Sequence, residues 1–288
     1  MTRVLVTGSG GQLGFELQRS VPEGVEATFV TSKQLDITDA AAVAAKVAEV
    51  SPDVIINAAA YTAVDKAESE PELAHRVNAA GPENLAIACK PFGARLIHIS
   101  TDFVFDGASS VPYKTDDQPS PCCVYGQTKW QGEQAVLATL DNAVIIRTAW
   151  VYSAHGNNFV KTMLRLMAEK PEMAVIVDQV GTPTWAHGLA RRVWDCVNNP
   201  EVKGTLHWTD AGVASWYDFA VAIQEIALEF GLLPQAVPVR PIPETQYPLP
   251  AKRPHFGVLD KSLTYQALGA APIHWRRQLR SMLAELVI

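Results

Sequence analysis

Cysteine is scarce in this chain: four in 288 residues, Cys89, Cys122, Cys123 and Cys196. Their spacing matches neither a disulfide framework nor a metal-binding pattern, so reduced thiols and no bound metal are expected. Long apolar runs are absent as well, none approaching the roughly 20 residues that cross a bilayer, which excludes a membrane-spanning protein. The opening "MTRVLVTGSGG" passes from one arginine through a short apolar run into glycines, without the apolar core and cleavage site of a signal peptide; a cytoplasmic protein is expected. Positive charge is in deficit, with 24 Lys and Arg against 30 Asp and Glu, a formal net charge of −6. That balance argues against a nucleic-acid partner, while leaving room for a local basic pocket for a phosphorylated small molecule. Internal repeats and low-complexity tracts are missing too.

What is present is an alternation. "RVLVTG" reads as a buried strand, "GQLGFELQRSV" as a helix and "VEATFVT" as a second strand. "LDITDAAAVAAKVAEVSP" then gives a turn and an Ala-rich helix, "DVIINAAA" a strand, "ELAHRVNAAGPENLAIACKPFG" a helix and "RLIHIS" a strand. "AVIIRTAWVY" and "AVIVDQVGTPT" read as further strands. Such alternation implies an α/β class, a Rossmann-type doubly wound parallel sheet with crossover helices. Past about residue 180 the rhythm loosens. The proline-dense "LLPQAVPVRPIPETQYPLPAKRP" reads as an ordered, loop-rich annex, with a flexible linker as the alternative, and "HWRRQLRSMLAEL" closes the chain as an amphipathic helix. The expected organisation is a dinucleotide-binding domain over 1–150, to which elements of roughly 171–195 return, and a mainly substrate-binding region over 151–288.

In "TGSGGQLG" the register G-x-G-x-x-G fails, because its third glycine would fall on Leu13. A G-x-x-G-x-x-G register fits at Gly8, Gly11 and Gly14. Glycines between a strand and a helix allow close backbone approach, and the helix N-terminus offers amides to a pyrophosphate; a purely structural turn is the alternative. At the end of the second strand, where an acidic residue would bind a ribose, Thr31, Ser32 and Lys33 stand instead. Hydroxyls and an ammonium suit a 2′-phosphate, which favours NADPH and leaves NADH open. Asp36 either approaches adenine or ribose, or caps the turn before "ITDAAAV".

"YGQTKWQGE" places Tyr125 and Lys129 four apart, on one face if the segment is helical. An ammonium beside a phenol favours the phenolate and brings it toward the working pH range, although such a pair can equally decorate a surface. "RLIHISTDFVFDG" ends a strand in Ser100 and Thr101, where open parallel sheets carry their sites; a turn or helix cap is the bland reading. Glycine loop, strand-end hydroxyl and Tyr/Lys pair follow one another in that order.

Together with "LDITD", "DVIINAAAYTAVDKAE", "VNAAGPENLA", "IIRTAWVY", "DQVGTPT" and "AKRP", these segments resemble the extended short-chain dehydrogenase/reductase family, and within it the dTDP-4-dehydrorhamnose reductase group, over nearly the whole chain. The resemblance implies NAD(P)H-dependent reduction of the C4 keto group of a dTDP-sugar. Tyr125 would be the acid, Lys129 would bind the nicotinamide ribose and lower the Tyr125 pKa, and Thr101 would polarise the carbonyl. It further implies cofactor contacts from Gln12, Leu13, Ile37, Ala58, Ala59 and Ala60, and substrate contacts from Thr62, Val64, Asp102, Phe103, Trp150 and Arg253, with Asp65 near the sugar. Read without the resemblance, Asp65, Lys66 and Glu68 are a solvated helix start, Trp150 a core residue and Arg253 a surface ion pair. Some relatives form magnesium-linked dimers through glutamates. Glu16 and Glu285 match such positions, but His187 stands where a further acid is expected, so no metal is required. A monomer or homodimer is expected. The competing functions are another sugar-nucleotide reductase or epimerase, and a non-catalytic regulatory subunit resembling that of methionine adenosyltransferase.

Overall fold

The computed structural model describes residues 1–270 and 273–287. Its centre is a six-stranded sheet of β1 (Thr2–Thr7), β2 (Val25–Val30), β3 (Val54–Asn57), β4 (Arg95–Thr101), β5 (Val144–Thr148) and β6 (Gly204–His207), ordered β6-β5-β4-β3-β1-β2. Every pairing in it is parallel. The chain winds outward from β1 in one direction to β2 and in the other to β3, so the switch point lies between β1 and β3, the place where such sheets open a crevice.

Period-two alternation explains the two covered faces. Val4, Val6, Ile56 and Ile97 pack with α1 (Gln12–Arg19) and, later in the chain, with Leu189, Val193 and Trp194. Leu5, Ile55, Leu96 and Ile145 face the other way, onto α2 (Ala40–Val50), α3 (Gly81–Cys89) and α4 (Val124–Thr139). Three further helices and the closing one, α5 (Phe159–Glu169), α6 (Ala186–Asn198), α7 (Trp216–Glu229) and α8 (Trp275–Ala284), complete the main helical set. A separate apolar cluster of Tyr152, Met163, Trp185, Phe219, Ile223, Trp275 and Leu279 holds the annex together. No helix of the described residues is long and apolar enough to cross a membrane.

The returning elements differ from the expectation. Within 171–195, α6 packs on the main sheet, but the strand Met173–Ile176 pairs with Val239–Ile242 in a two-stranded ribbon of the annex. The strand that returns is β6, beyond that range. Val239–Ile242 of the proline-dense segment is the strand it contributes to this ribbon. The expected single strand 143–152 breaks after Thr148, because Trp150 takes a left-handed backbone (φ 47°), and Val151–Tyr152 then pairs with Thr184–Trp185. The expected helix over 72–93 carries a π-helical turn at Arg76–Ala80.

Candidate active site

The glycine loop sits at the switch point. Gly8 has φ 73°, and a Cβ there would lie 2.4 Å from the Ala59 nitrogen, so the loop rests directly on the backbone after β3. Gly14 lets the first turn of α1 press on the loop, its would-be Cβ 2.5 Å from the Gly8 carbonyl oxygen. Gly11 is the N-cap of α1; no side chain caps this helix end, and its first turn holds no acid. Uncapped first-turn amides with the positive end of the helix dipole form a seat for an anion.

Beside it, α4 carries Tyr125 and Lys129 on one buried face. Two helix glycines make the close approach possible. A Cβ at Gly126 would fall 2.1 Å from the Phe103 carbonyl oxygen, and one at Gly132 the same distance from that of Asn78. Glycine inside a helix costs about 1 kcal/mol relative to alanine, so both positions favour proximity over helix propensity. The π turn has its own purpose: Asn78 in it accepts from the Tyr61 amide at 2.9 Å and donates to the Tyr61 carbonyl at 3.0 Å, fixing the loop after β3.

The cleft between these elements has a volume of about 390 Å³ and is lined by Gln12, Leu13, Ala58, Ala60, Thr62 and Val64, by Thr101, Asp102, Phe103, Tyr125 and Lys129, and by Trp150 and Arg253. Thirteen residues expected from the sequence are therefore brought together. Gly8, Gly14 and Ala59 form the loop's scaffold beside it, and Gly11 is exposed at the N-cap of α1; none of the four lines the cleft. Ser32, Lys33, Asp36 and Ile37 do not line it. Ser32 and Lys33 are exposed past the end of β2, and Ile37 is buried against Gly81. Asp36 takes the turn role, accepting from the Thr38 amide and hydroxyl at 2.9 and 2.8 Å.

Burial dominates the electrostatics. It raises the Tyr125 pKa above its ordinary value, against the opposing Thr101 hydroxyl, and pushes Lys129 down to about 8 against the Glu133 carboxylate. The Lys129 Nζ points into the sheet, donating to the Ile99 carbonyl at 2.6 Å with His98 Nε2 at 3.3 Å. The expected lowering of Tyr125 by Lys129 is not the state of this structure, where burial raises Tyr125 and the Lys129 Nζ is directed at β4. Thr101 donates to Asp102 at 3.0 Å, and burial pushes that carboxyl up to about 7.

The annex supplies the far wall. Trp150 stacks on Trp216 with ring centroids 3.5 Å apart and planes 7° from parallel, and Gly181 leaves room for the Trp150 indole, which a Cβ there would meet at 2.8 Å. Trp216, Thr148 and Leu189 also line the cleft and were not expected from the sequence. The Thr148 hydroxyl is buried without a hydrogen-bond partner among the described residues, a polar atom available to a ligand. Arg253 forks onto Asp65 at 3.0 and 2.7 Å, so the guanidinium and the carboxylate close the cleft's edge on each other; the pair holds the Asp65 pKa below its ordinary value.

Glu16, His187 and Glu285 lie near one another but do not form a magnesium site. Arg19 forks onto Glu285 at 2.8 and 3.0 Å and lies 3.5 Å from Glu16, while Ser153 donates to Glu16 at 2.7 Å. A guanidinium already sits between the carboxylates, and the third group is an imidazole where magnesium prefers oxygen.

A family model described as RmlD substrate binding domain matches residues 1–288. Over 289 residues the chain is 45% identical to the dTDP-4-dehydrorhamnose reductase of Mycolicibacterium smegmatis, covering 99% of this chain and 86% of that one. The chain belongs to the dTDP-4-dehydrorhamnose reductase family. It is an oxidoreductase by that membership. Among solved structures, the family's crystal structure from Clostridium acetobutylicum superposes with a TM-score of 0.94 at 41% identity, covering 99% of this chain and 100% of that one. The Bacillus anthracis reductase in complex with NADP gives 0.93 at 36% identity, covering 99% of both chains.

Proposed function

We propose that this cleft binds NADPH, or NADH, along the glycine loop and reduces the C4 keto group of dTDP-4-dehydro-L-rhamnose to give dTDP-L-rhamnose. The observation that carries the reading is the convergence of Thr101, Tyr125 and Lys129 on one cleft that opens at the uncapped N-terminus of α1. When bound, the reduced nicotinamide supplies the hydride. Gly8 and Gly14 let the loop and α1 approach closely enough for the amides of Gln12 and Leu13 to receive the pyrophosphate. Tyr125 holds the proton that the C4 oxygen takes up, Thr101 donates a hydrogen bond to that oxygen, and Lys129 turns outward to the nicotinamide ribose. Trp150 and Trp216 present an aromatic face to the sugar, and Arg253, released from Asp65, forks onto the diphosphate. On this reading residues 1–150 form the dinucleotide-binding part and 151–288 mainly the substrate-binding part, in a monomer or homodimer.

The test is a parallel assay of dTDP-4-dehydro-L-rhamnose with NADPH and with NADH, following loss of the reduced nicotinamide's absorbance and identifying the sugar product. One dinucleotide oxidised per dTDP-L-rhamnose formed is expected. Sugar conversion without net oxidation would point to an epimerase, and dinucleotide binding without any turnover to a regulatory subunit; either result defeats the proposal.

A further inference from the structure

Behind the cleft, buried side chains form a hydrogen-bonded chain from β1 to Lys129. Thr7 Oγ1 donates to Asn57 Oδ1 at 2.7 Å, and the Ala59 amide donates to the same oxygen at 3.1 Å. A main-chain N–H can only donate, which fixes the Asn57 amide with its oxygen on that side. Asn57 Nδ2 therefore faces His98 Nδ1, at 3.0 Å, and Nδ1 must accept. A neutral imidazole that accepts on Nδ1 carries its proton on Nε2. That Nε2 lies 3.3 Å from Lys129 Nζ. An ammonium has three donors and no lone pair, so it would set donor against donor in a fully buried site. A neutral amine accepts from His98 and still donates to the Ile99 carbonyl, and with it every partner in the chain is satisfied.

We propose that His98 is a positioning residue that favours Lys129 as a neutral amine turned toward β4 in the free enzyme, and that dinucleotide binding releases Lys129 as an ammonium, each molecule that held the neutral amine taking up one proton from solvent. The inference rests on the cofactor reading above. The other charged or titratable groups around Lys129 are Tyr125 and Glu133 on its own helix and Arg147 on β5, which forks onto Glu133 at 2.7–3.1 Å and so occupies the carboxylate that could otherwise hold the ammonium inward. Ser100 donates to the same carboxylate. Burial acts in the same sense, lowering Lys129 to about 8 and His98 well below its ordinary value. The consequence is ordered activation at alkaline pH: above about pH 8 the positive charge that favours proton release from Tyr125 enters the cleft with the cofactor.

Calorimetric titration of the full chain with NADPH, in two buffers of different ionisation enthalpy near about pH 9, counts the protons taken up. If bound Lys129 returns to its ordinary pKa, about 0.9 proton per dinucleotide is expected there, and about 0.1 near pH 7. His98→Gln, whose carboxamide oxygen can accept from an ammonium, should bind NADPH with uptake cut to below about a third of the parent's. Lys129→Met, where it still binds, should show none. Tight binding by the parent without buffer dependence overturns the proposal, and so does undiminished uptake in either variant. If His98→Gln does not fold, the parent and Lys129→Met carry the test. Failure of the folded parent to bind either dinucleotide overturns instead the functional reading on which this one stands.

Discussion

Alanine at Gly8 and at Gly11 should separate what the glycine loop does for the fold from what it does for the ligand. At Gly8 the left-handed backbone (φ 73°) disfavours any Cβ by about 1–2 kcal/mol. The new carbon would also lie 2.4 to 2.7 Å from main-chain atoms of Ala58 and Ala59, which cannot rotate away as a side-chain tip can. Overpacking of this kind costs about 1–3 kcal/mol. A total of roughly 2–5 kcal/mol, at roughly 2–4 °C for each kcal/mol in a chain of this size, lowers the melting temperature by roughly 4–20 °C. At Gly11 the backbone is extended (φ −85°, ψ 176°) and the nearest atom to a new Cβ is the Gly8 oxygen at 3.4 Å. Its loss of cap preference is offset by a less flexible unfolded chain, so Gly11→Ala should melt within about 3 °C of the parent. On the proposed reading a methyl at this N-cap crowds a pyrophosphate held by the first-turn amides, and NADPH binding should weaken by about tenfold or more. Thermal unfolding followed by circular dichroism and NADPH titration followed by fluorescence measure the two effects. A Gly8→Ala protein as stable as the parent would refute the rigid approach of the loop to β3, and parent-like NADPH affinity in Gly11→Ala would refute the pyrophosphate seat.

Tyr125→Phe removes the proton donor while keeping the ring's edge contact with Phe103, and steady-state kinetics should show turnover reduced about 10²- to 10⁴-fold with NADPH affinity nearly unchanged. Trp216→Ala removes the stacking partner of Trp150, a contact of about 0.5–1.5 kcal/mol, so KM for the sugar nucleotide should rise roughly 2- to 12-fold with less effect on NADPH; an unchanged KM would take Trp216 out of the sugar site. Asp102 has a folded pKa raised to about 7 by burial, so its contribution to stability is full below about pH 4 and lost as pH rises through about 7. Asp102→Asn should therefore melt higher than the parent at pH about 8 and lose that advantage at pH about 5, as measured by calorimetric scans; a gap independent of pH would contradict the assignment.

The sheet was legible because parallel strands buried on both faces read as short apolar runs, as "VLV", "VII" and "VII" do in β1, β3 and β5. β6 was not: "GTLH" is four residues long, opens on a glycine and includes two polar residues, and only its pairing with β5 and the cover of α6 make it a strand. On the site, Gly8, Thr101, Tyr125 and Lys129 were legible because their chemistry is local to a loop, a strand end and one helix face. Trp216 was not, since nothing in "ASWYDF" announces a partner 66 positions earlier; the stack depends on the backbone reversal at Trp150 and on the space at Gly181. Asn78 was hidden for a related reason, reaching Tyr61 only because a π turn rotates it off the ordinary helical face. The ribose end remained ambiguous because Ser32, Lys33 and Asp36 are exposed, and exposed side chains are not fixed by packing.

The direction of the Tyr125 shift bears on which way the reaction runs. A tyrosine that starts an oxidation must first lose its proton, and there a standing positive charge beside the phenol is useful. One that completes a reduction must arrive protonated and release its proton only as negative charge develops on the substrate oxygen. Burial keeps Tyr125 protonated through the neutral range and well above it, which is the second condition. Thr101 alone leans the other way, and in the proposed mechanism it is also the hydroxyl that stabilises the same oxygen when charge appears. A Lys129 charge introduced with the cofactor would then lower the Tyr125 pKa only after the hydride source is in place, so that proton and hydride become available together. The geometry that contradicts a permanently tuned tyrosine is therefore the geometry a reductase needs.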